Sequence, residues 1–159
     1  MFNLEMLNKI SFDKIYKNWN DQTFYQLLNN IITSFWNKNI KNEKELQKSL
    51  KEWLSNYLLN LEEYEEVKSE ITIFRKKRID LVFNLSFFQY WIELKYWINT
   101  NSIRTLEYQI NEYTKNITYK YIIILIKLKS NETIKNFLSI EYLIKRLLNK
   151  NNVLLFFIW

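Results

Sequence analysis

The stretch that decides the predicted fold is residues 78–95, with the sequence RIDLVFNLSFFQYWIELK. Two runs of apolar, β-prone residues flank a short polar break at 84–86, and this pattern predicts a β-hairpin. Side chains alternate between the two faces of a strand. In the first strand, one face is predicted to carry Ile79, Leu81, Phe83 and Leu85. In the second strand, the same face is predicted to carry Phe88, Tyr90, Ile92 and Leu94.

Three charged residues fall on the opposite face of this hairpin. Asp80 lies in the first strand, and Glu93 and Lys95 lie one pleat apart in the second. A charge inside so apolar a strand is costly unless it is paired or bound to a metal. Two carboxylates can hold a hard cation through oxygen, and an ammonium can offset charge on a phosphate. A magnesium-dependent phosphodiesterase needs this set of side chains.

Asp80 and the triplet Glu93-Leu94-Lys95 resemble the motif of the PD-(D/E)xK nuclease superfamily, which includes many restriction enzymes, resolvases and RecB-like exonucleases. Ile79 stands where the proline of that motif would be. The resemblance implies an α/β fold with a restriction-endonuclease-like αβββαβ core, in which helices flank a mixed central sheet. It also implies that Asp80, Glu93 and the Leu94 carbonyl bind Mg²⁺ or Mn²⁺, and that Lys95 assists the attacking water.

Two other glutamates are candidates for an additional metal-site acid, which such nucleases often carry on the helix before the sheet. Glu43 precedes two leucines by three and seven residues, so it extends the apolar stripe of a helix predicted at 42–61. The alternative is that Glu43 only complements the positive end of that helix. Glu70, in a strand predicted at 67–74, is the second candidate.

A further motif lies in the helix predicted at 100–116. Gln109 and Tyr113 form the pattern Q-x-x-x-Y, which is similar to the motif that follows the Glu-x-Lys strand in RecB-like nucleases. The resemblance implies that Gln109 holds Lys95 or the substrate and that Tyr113 contacts the nucleic acid. RecB relatives with an iron–sulfur cluster need cysteines, and this chain has none.

The charge balance favours a polyanionic partner. Lysine and arginine exceed aspartate and glutamate by 23 to 17, which gives a formal charge of +6. We expect nucleic acid as the partner, with DNA favoured over RNA. Four consecutive cations, Arg75, Lys76, Lys77 and Arg78, are predicted to form an exposed turn before the hairpin. They serve either solubility and edge protection or contact with phosphates.

The composition also narrows the chemistry. The chain of 159 residues is 48% hydrophobic, enough for one domain with a substantial core. It contains no cysteine, histidine or glycine. These absences exclude thiol nucleophiles, thiolate metal sites, histidine-containing triads and P-loops. Carboxylates, lysine, arginine, hydroxyls and a metal remain.

Two segments are expected along the chain. Residues 1–40 are predicted to form an N-terminal helical extension, with Asn20 or Asp21 as the cap of its apolar helix. That apolar face packs on the rest of the chain, forms a homodimer or docks on DNA. Residues 41–159 are predicted to form the nuclease-like domain, in one compact unit with the extension.

The last third of the chain is predicted to complete the sheet. A continuous apolar run at 119–128 is predicted to be a buried central strand, parallel to its neighbour across a helical crossover. A helix at 131–149 and a strand at 153–159 are predicted to follow.

The sequence predicts a soluble intracellular protein. No apolar run in the middle of the chain approaches the roughly 20 residues that span a membrane, and the N-terminus lacks a signal pattern. Residues with AT-rich codons dominate, and glycine, alanine and proline are missing, which indicates an AT-biased gene in a cytoplasmic or organellar setting.

Three functions are compatible with these features. The first is a metal-dependent nuclease that hydrolyses phosphodiester bonds. The second is a nuclease-like module that binds nucleic acid or a protein but has lost activity, with its motif residues kept as an ion pair. The third is a structural subunit of a larger assembly. Metal binding discriminates the first from the second, and solubility without partners discriminates the third.

Overall fold

The computed structural model describes residues 4–17, 22–62, 66–74, 77–96, 100–115, 119–128 and 137–159. Within these residues the chain forms five helices and five strands. In chain order they are α1 (Leu4–Tyr16), α2 (Gln22–Phe35), α3 (Glu43–Asn60), β1 (Lys68–Phe74), β2 (Lys77–Leu85), β3 (Phe88–Tyr96), α4 (Thr100–Tyr113), β4 (Tyr121–Lys127), α5 (Phe137–Leu148) and β5 (Val153–Ile158). None of these helices is both long and apolar enough to cross a bilayer.

The five strands form one mixed sheet in the order β1-β2-β3-β4-β5. Strands β1, β2 and β3 pair antiparallel, whereas β3, β4 and β5 pair parallel. Parallel neighbours require a crossover, and α4 and α5 provide the two crossovers. The predicted α/β class with a mixed sheet is therefore confirmed, as is the parallel placement of the strand predicted at 119–128.

Two hydrophobic cores lie on opposite faces of the sheet. One lies against α2 and α3 and the other against α4 and α5. Helices cover both faces of β4 and β5, so every residue of these two strands is buried. The predicted alternation of β3 is confirmed, because Tyr90, Ile92 and Leu94 belong to the first core and Trp91 to the second.

Helix α1 closes the outer edge of β5 with polar side chains. The Asn8 amide donates to the Phe157 carbonyl at 2.9 Å, and its oxygen accepts from the Phe157 N–H at 2.8 Å. The Ser11 hydroxyl donates to the Leu155 carbonyl at 3.0 Å and accepts from the Leu155 N–H at 2.8 Å. Lys14 donates to the Val153 carbonyl at 3.0 Å. These bonds occupy backbone groups that would otherwise offer an edge for another strand.

We expect Ser11→Ala to lower the free energy of unfolding by about 2 kcal/mol. Ser11 is fully buried, so its loss leaves the N–H and the carbonyl of Leu155 without a partner. Urea unfolding followed by circular dichroism measures this change. Thr33→Ala is the matched control, because the Thr33 hydroxyl is exposed and bonds only within its helix. Equal stability of both variants would contradict the edge-closing role of Ser11.

The prediction that residues 1–40 form a helical extension is wrong at its C-terminal end. The structure has two helices there, and residues 38–41 are not helical. Helix α2 ends at Phe35, and two residues later Asn37 adopts a left-handed conformation (φ 58°) and donates its N–H to the Trp159 carbonyl at 2.8 Å. Two helices are needed because α1 follows the edge of the sheet whereas α2 covers a face. The predicted caps, Asn20 and Asp21, lie outside the described residues.

The hairpin turn lies further along the chain than the break predicted at 84–86. Leu85 pairs with Phe88, so the turn consists of Ser86 and Phe87. Both have positive φ, 51° and 71°, as the right-handed twist of a two-residue hairpin requires. The chain has no glycine to mark the position of the turn in the sequence. The position is instead decided by the register in which β2 and β3 pair.

One further boundary differs from its prediction, and two others are described only in part. Lys77 and Arg78 belong to strand β2 and not to the turn before it, because β1 and β2 already pair there. Arg75 and Lys76 lie outside the described residues. The predicted helix at 131–149 corresponds to α5 from Phe137, and residues 129–136 lie outside the described part.

Candidate active site

Strand β2 separates from β3 at Asp80. The ladder between the two strands runs from Leu85 and Phe88 to Leu81 and Ile92. At Asp80, the next residue of β2 toward its start, the backbone pairing with β3 stops. There the Leu94 N–H of β3 donates to the side-chain oxygen Asp80 Oδ2 at 2.7 Å. The two strands therefore open into a cleft with a carboxylate between them.

The face predicted for Ile79 is wrong. Alternation along β2 predicts it beside Leu81, but Ile79 packs in the core against α4 and α5, whereas Leu81 packs in the core against α2 and α3. The cause lies at Asp80, between them. From Leu81 to Leu85, β2 pairs with β3. Before Asp80, at Arg78 and Ile79, β2 no longer pairs with β3 and pairs with β1 alone. The strand changes its orientation at this point, and the regular period of two is lost.

Two helices hold the backbone that β3 no longer binds. Gln47 on α3 donates its side-chain amide to the Asp80 carbonyl at 3.0 Å. Tyr113 on α4 donates its hydroxyl to the Arg78 carbonyl at 3.0 Å. These bonds come from opposite faces of the sheet, so they hold the separated part of β2 from both sides. Gln47 was missed at the level of sequence, although it follows Glu43 by four residues and therefore shares its helix face.

Glu93 is a deeply buried carboxylate, with only 3% of its surface exposed. Its Oε1 lies 3.6 Å from the ammonium of Lys95, whose side chain is mostly buried, and its Oε2 has no hydrogen-bond partner among the described residues. Burial is the main cause that raises the pKa of Glu93 to about 8. The charge of Asp80 raises it further, and Lys95 opposes the shift.

Asp80 shares this electrostatic environment. Burial raises its pKa to about 6, and the hydrogen bond from Leu94 opposes that shift. The negative charges of Glu43 and Glu70 both raise the pKa of Asp80, with Glu43 having the larger effect. Glu43 also raises the pKa of Glu93. The fold thus brings Glu43 close enough to influence both carboxylates, and Glu70 close enough to influence Asp80.

The two additional acids differ in their setting. Glu43 is the first residue of α3 and is partly buried. Glu70 is exposed and adopts a left-handed conformation (φ 52°) within β1, level with Asp80 on the paired strand. A non-glycine residue rarely adopts this conformation inside a strand. The local irregularity of β1 therefore coincides with the place where β2 leaves β3.

The oxygen atoms of the cleft suit a hard divalent cation. In the described part of the chain, no group of three or more acids is arranged to hold an ion. The charge of Asp80 raises the pKa of Glu93, however, so the two carboxylates lie near each other, and the N–H and carbonyl of a strand residue point to the same side. The Leu94 carbonyl therefore faces the cleft as well. A cation would give Glu93 Oε2 a partner, and its positive charge would oppose the upward pKa shifts that burial causes at Asp80 and Glu93.

Gln109 and Tyr113 lie on the helix that covers this cleft. Gln109 Oε1 is buried and has no hydrogen-bond partner among the described residues, and the ion pair of Lys95 is with Glu93. Tyr113 is buried, and its ring lies edge-on to Trp91 with 6.1 Å between centroids. Burial, followed by the charges of Glu93 and Asp80, raises the pKa of Tyr113. Its hydroxyl supports the backbone of β2, and this geometry does not present it to nucleic acid.

The predicted phosphate contacts are described only in part. Arg78 is exposed and precedes Asp80 by two residues in β2, and the side chain of Lys77 lies outside the described residues. Arg75 and Lys76 lie outside the described residues altogether.

Comparison of the chain with protein-family models, with curated proteins and with solved structures gives no match.

Proposed function

We propose that this chain is a metal-dependent nuclease of the PD-(D/E)xK type, with α3, β1, β2, β3, α4 and β4 as its restriction-endonuclease-like core. One observation carries the proposal. Asp80 and Glu93, from two strands that separate only at this point, share a buried cleft with Lys95 beside them. A buried carboxylate oxygen without a partner is costly in a purely structural site, but it suits a site that binds a cation.

The chain offers defined positions for Mg²⁺ or Mn²⁺. Asp80 and Glu93 would hold the ion through their carboxylates, together with the Leu94 carbonyl, and Glu43 is better placed than Glu70 to add a further oxygen. When bound, the cation supplies charge neutralisation at the phosphate and lowers the pKa of an attacking water. The chain has no histidine, so the side chains that can bind a metal here do so through oxygen, and oxygen ligands suit Mg²⁺ and Mn²⁺.

Lys95 is the residue that acts on the substrate in this proposal. Its side chain is mostly buried beside Glu93 but keeps 18% of its surface exposed, so it connects the acidic site with solvent. From there it can donate to a phosphate oxygen and offset the negative charge that develops during hydrolysis. Gln47 and Tyr113 act through Asp80, because they hold the backbone that positions its carboxylate.

The proposal is tested by incubating the purified protein with single-stranded DNA, duplex DNA, supercoiled plasmid and RNA. Each substrate is combined with Mg²⁺, Mn²⁺ or EDTA. We expect cleavage that requires the cation and is lost in Lys95→Ala, and the substrate that is cut defines the class. Intact substrates in every condition, with unchanged binding by Lys95→Ala, would overturn the proposal and favour an inactive binding module.

We expect Gln47→Ala to lower cleavage by about tenfold and to raise the Mg²⁺ concentration for half-maximal activity, because groups that orient metal ligands typically have effects of this size. The variant leaves the Asp80 carbonyl without its 3.0 Å donor. Titration of activity against Mg²⁺ measures both effects. Gln26→Ala, on the exposed side of α2, is the matched control. An unchanged Mg²⁺ requirement in Gln47→Ala would show that Gln47 does not position Asp80.

A further inference from the structure

The tip of the β2–β3 hairpin carries an aromatic residue in an unusual setting. Phe87 is fully exposed, and its neighbour Phe88 is about half exposed. Phe87 also has a φ of 71°, a conformation that asparagine adopts more readily than phenylalanine. Asparagine is abundant in this chain, yet phenylalanine occupies the position. The exposed ring of Phe87 adds nothing to the core, and its backbone conformation is one that phenylalanine does not favour, so the residue stabilises neither the core nor the turn.

Positive charge accompanies these rings. The Lys120 ammonium lies 4.1 Å from the centroid of the Phe88 ring, and the Lys120 N–H donates to the Gln89 carbonyl at 2.7 Å. Lys120 precedes β4 and Lys150 precedes β5. Because β3, β4 and β5 are parallel, both lysines lie at the end of the sheet that carries the hairpin tip. An exposed aromatic ring beside cations matches the chemistry of a nucleic-acid base and its phosphates.

The same hairpin connects this tip to the candidate active site. Phe87 lies at one end of β3, and Glu93 lies six residues further along the strand, or about 20 Å at the usual rise. That length corresponds to roughly six nucleotides of stacked duplex at about 3.4 Å each. The paired strands hold the two features at a fixed separation, so a substrate that extends at least about six nucleotides from the cleft toward the hairpin would reach the tip.

We propose that Phe87 is a stacking wedge for an exposed base, which directs the protein to single-stranded or forked nucleic acid. This inference rests on the proposed nuclease function and names its substrate class. In an intact duplex each base face is covered by its neighbours, whereas a fork or single strand offers a free face for the ring. Phe87 therefore favours substrates with unpaired bases, and Lys120 and Lys150 contribute attraction to the backbone without regard to sequence.

The test measures binding to a forked DNA with 2-aminopurine at the junction, to a single strand and to a blunt duplex, all in EDTA so that no cleavage occurs. We expect Phe87→Asn to weaken binding to the fork and to the single strand by about tenfold, with little change for the duplex. It should also remove the fluorescence change of 2-aminopurine. Phe87→Trp, which keeps an aromatic ring, should behave like wild type.

Two controls make the result decisive. Phe87→Asn suits the left-handed turn, so it should be at least as stable as wild type in thermal unfolding. Tyr142→Asn removes another exposed aromatic residue, on α5, and should not alter binding. An unchanged ratio of fork to duplex affinity in Phe87→Asn, with the 2-aminopurine signal intact, would overturn the wedge.

The outcomes separate this inference from the nuclease proposal. Binding that depends on Phe87, without cleavage in any metal, supports the wedge and removes the nuclease. Metal-dependent cleavage with no preference for unpaired bases in wild type and no effect of Phe87→Asn leaves the nuclease and removes the wedge.

Discussion

Replacing Glu93 by glutamine is expected to abolish metal-dependent cleavage, by about 10³-fold or more, while the protein remains at least as stable as wild type at pH 8. The amide keeps the shape of the side chain but loses the charge that binds a cation. Loss of a charge that stabilises the reaction typically costs 10²- to 10³-fold, and loss of the metal adds to this. Stability is maintained because Glu93 is buried and its pKa is raised to about 8, so its charged form is disfavoured in the fold.

Glu107→Gln is the matched control for this variant. Glu107 is also buried, but it lies outside the cleft and pairs with Arg146 at 2.7 Å between α4 and α5. We expect this variant to keep its cleavage activity and to lose some stability, because its partner stays charged. Cleavage by Glu93→Gln at the wild-type rate would remove Glu93 from the reaction. The two variants together separate the effect of a lost charge in the cleft from that of a lost charge in the core.

The second large effect is on stability as a function of pH. Without a divalent cation, the free energy of unfolding is expected to fall between about pH 4.5 and 8, by at most about 1.4 kcal/mol per pH unit for one proton. The pKa of Glu93 rises from 4.5 to about 8 on folding, so in this range the folded chain holds a proton that the unfolded chain has lost. Unfolding therefore releases a proton, and higher pH favours it. Asp80 acts in the same direction between about pH 4 and 6.

Mg²⁺ is expected to reverse this loss. Cation binding requires the deprotonated carboxylates, so it stabilises the protein most at high pH, by about 2.7 kcal/mol at 100 times the dissociation constant. Urea unfolding at pH 5, 6.5 and 8, with Mg²⁺ and with EDTA, measures both effects. Glu93→Gln should show a flatter pH dependence and little response to Mg²⁺, whereas Glu107→Gln should retain both. A wild type whose stability is unaffected by Mg²⁺ at pH 8 would argue against a cation in this cleft.

The local pattern of the sequence was sufficient to predict the elements around the site. The alternation of Tyr90, Ile92 and Leu94 against Trp91 defined the two faces of β3, and the continuous apolar run of β4 indicated a strand buried on both sides. Such features depend on residues two to four positions apart, because the periods of strands and helices are short. The α/β class follows from them, as does the placement of Glu93 and Lys95 on one face of β3.

Only the tertiary structure decided how these residues come together. The separation of β2 from β3 joins Asp80 to Leu94, 14 residues away, and the support from Gln47 and Tyr113 comes from 33 and 35 residues away. The closure of the β5 edge by Ser11 joins residues 144 positions apart. The short periods of strands and helices do not predict such contacts. They form because backbone N–H and carbonyl groups that lack a partner in the neighbouring strand need hydrogen bonds from elsewhere in the chain. The sequence by itself determined that Glu93 and Lys95 share one face of β3, and the tertiary packing decided that Asp80, where the alternation of β2 fails, lies close to Glu93.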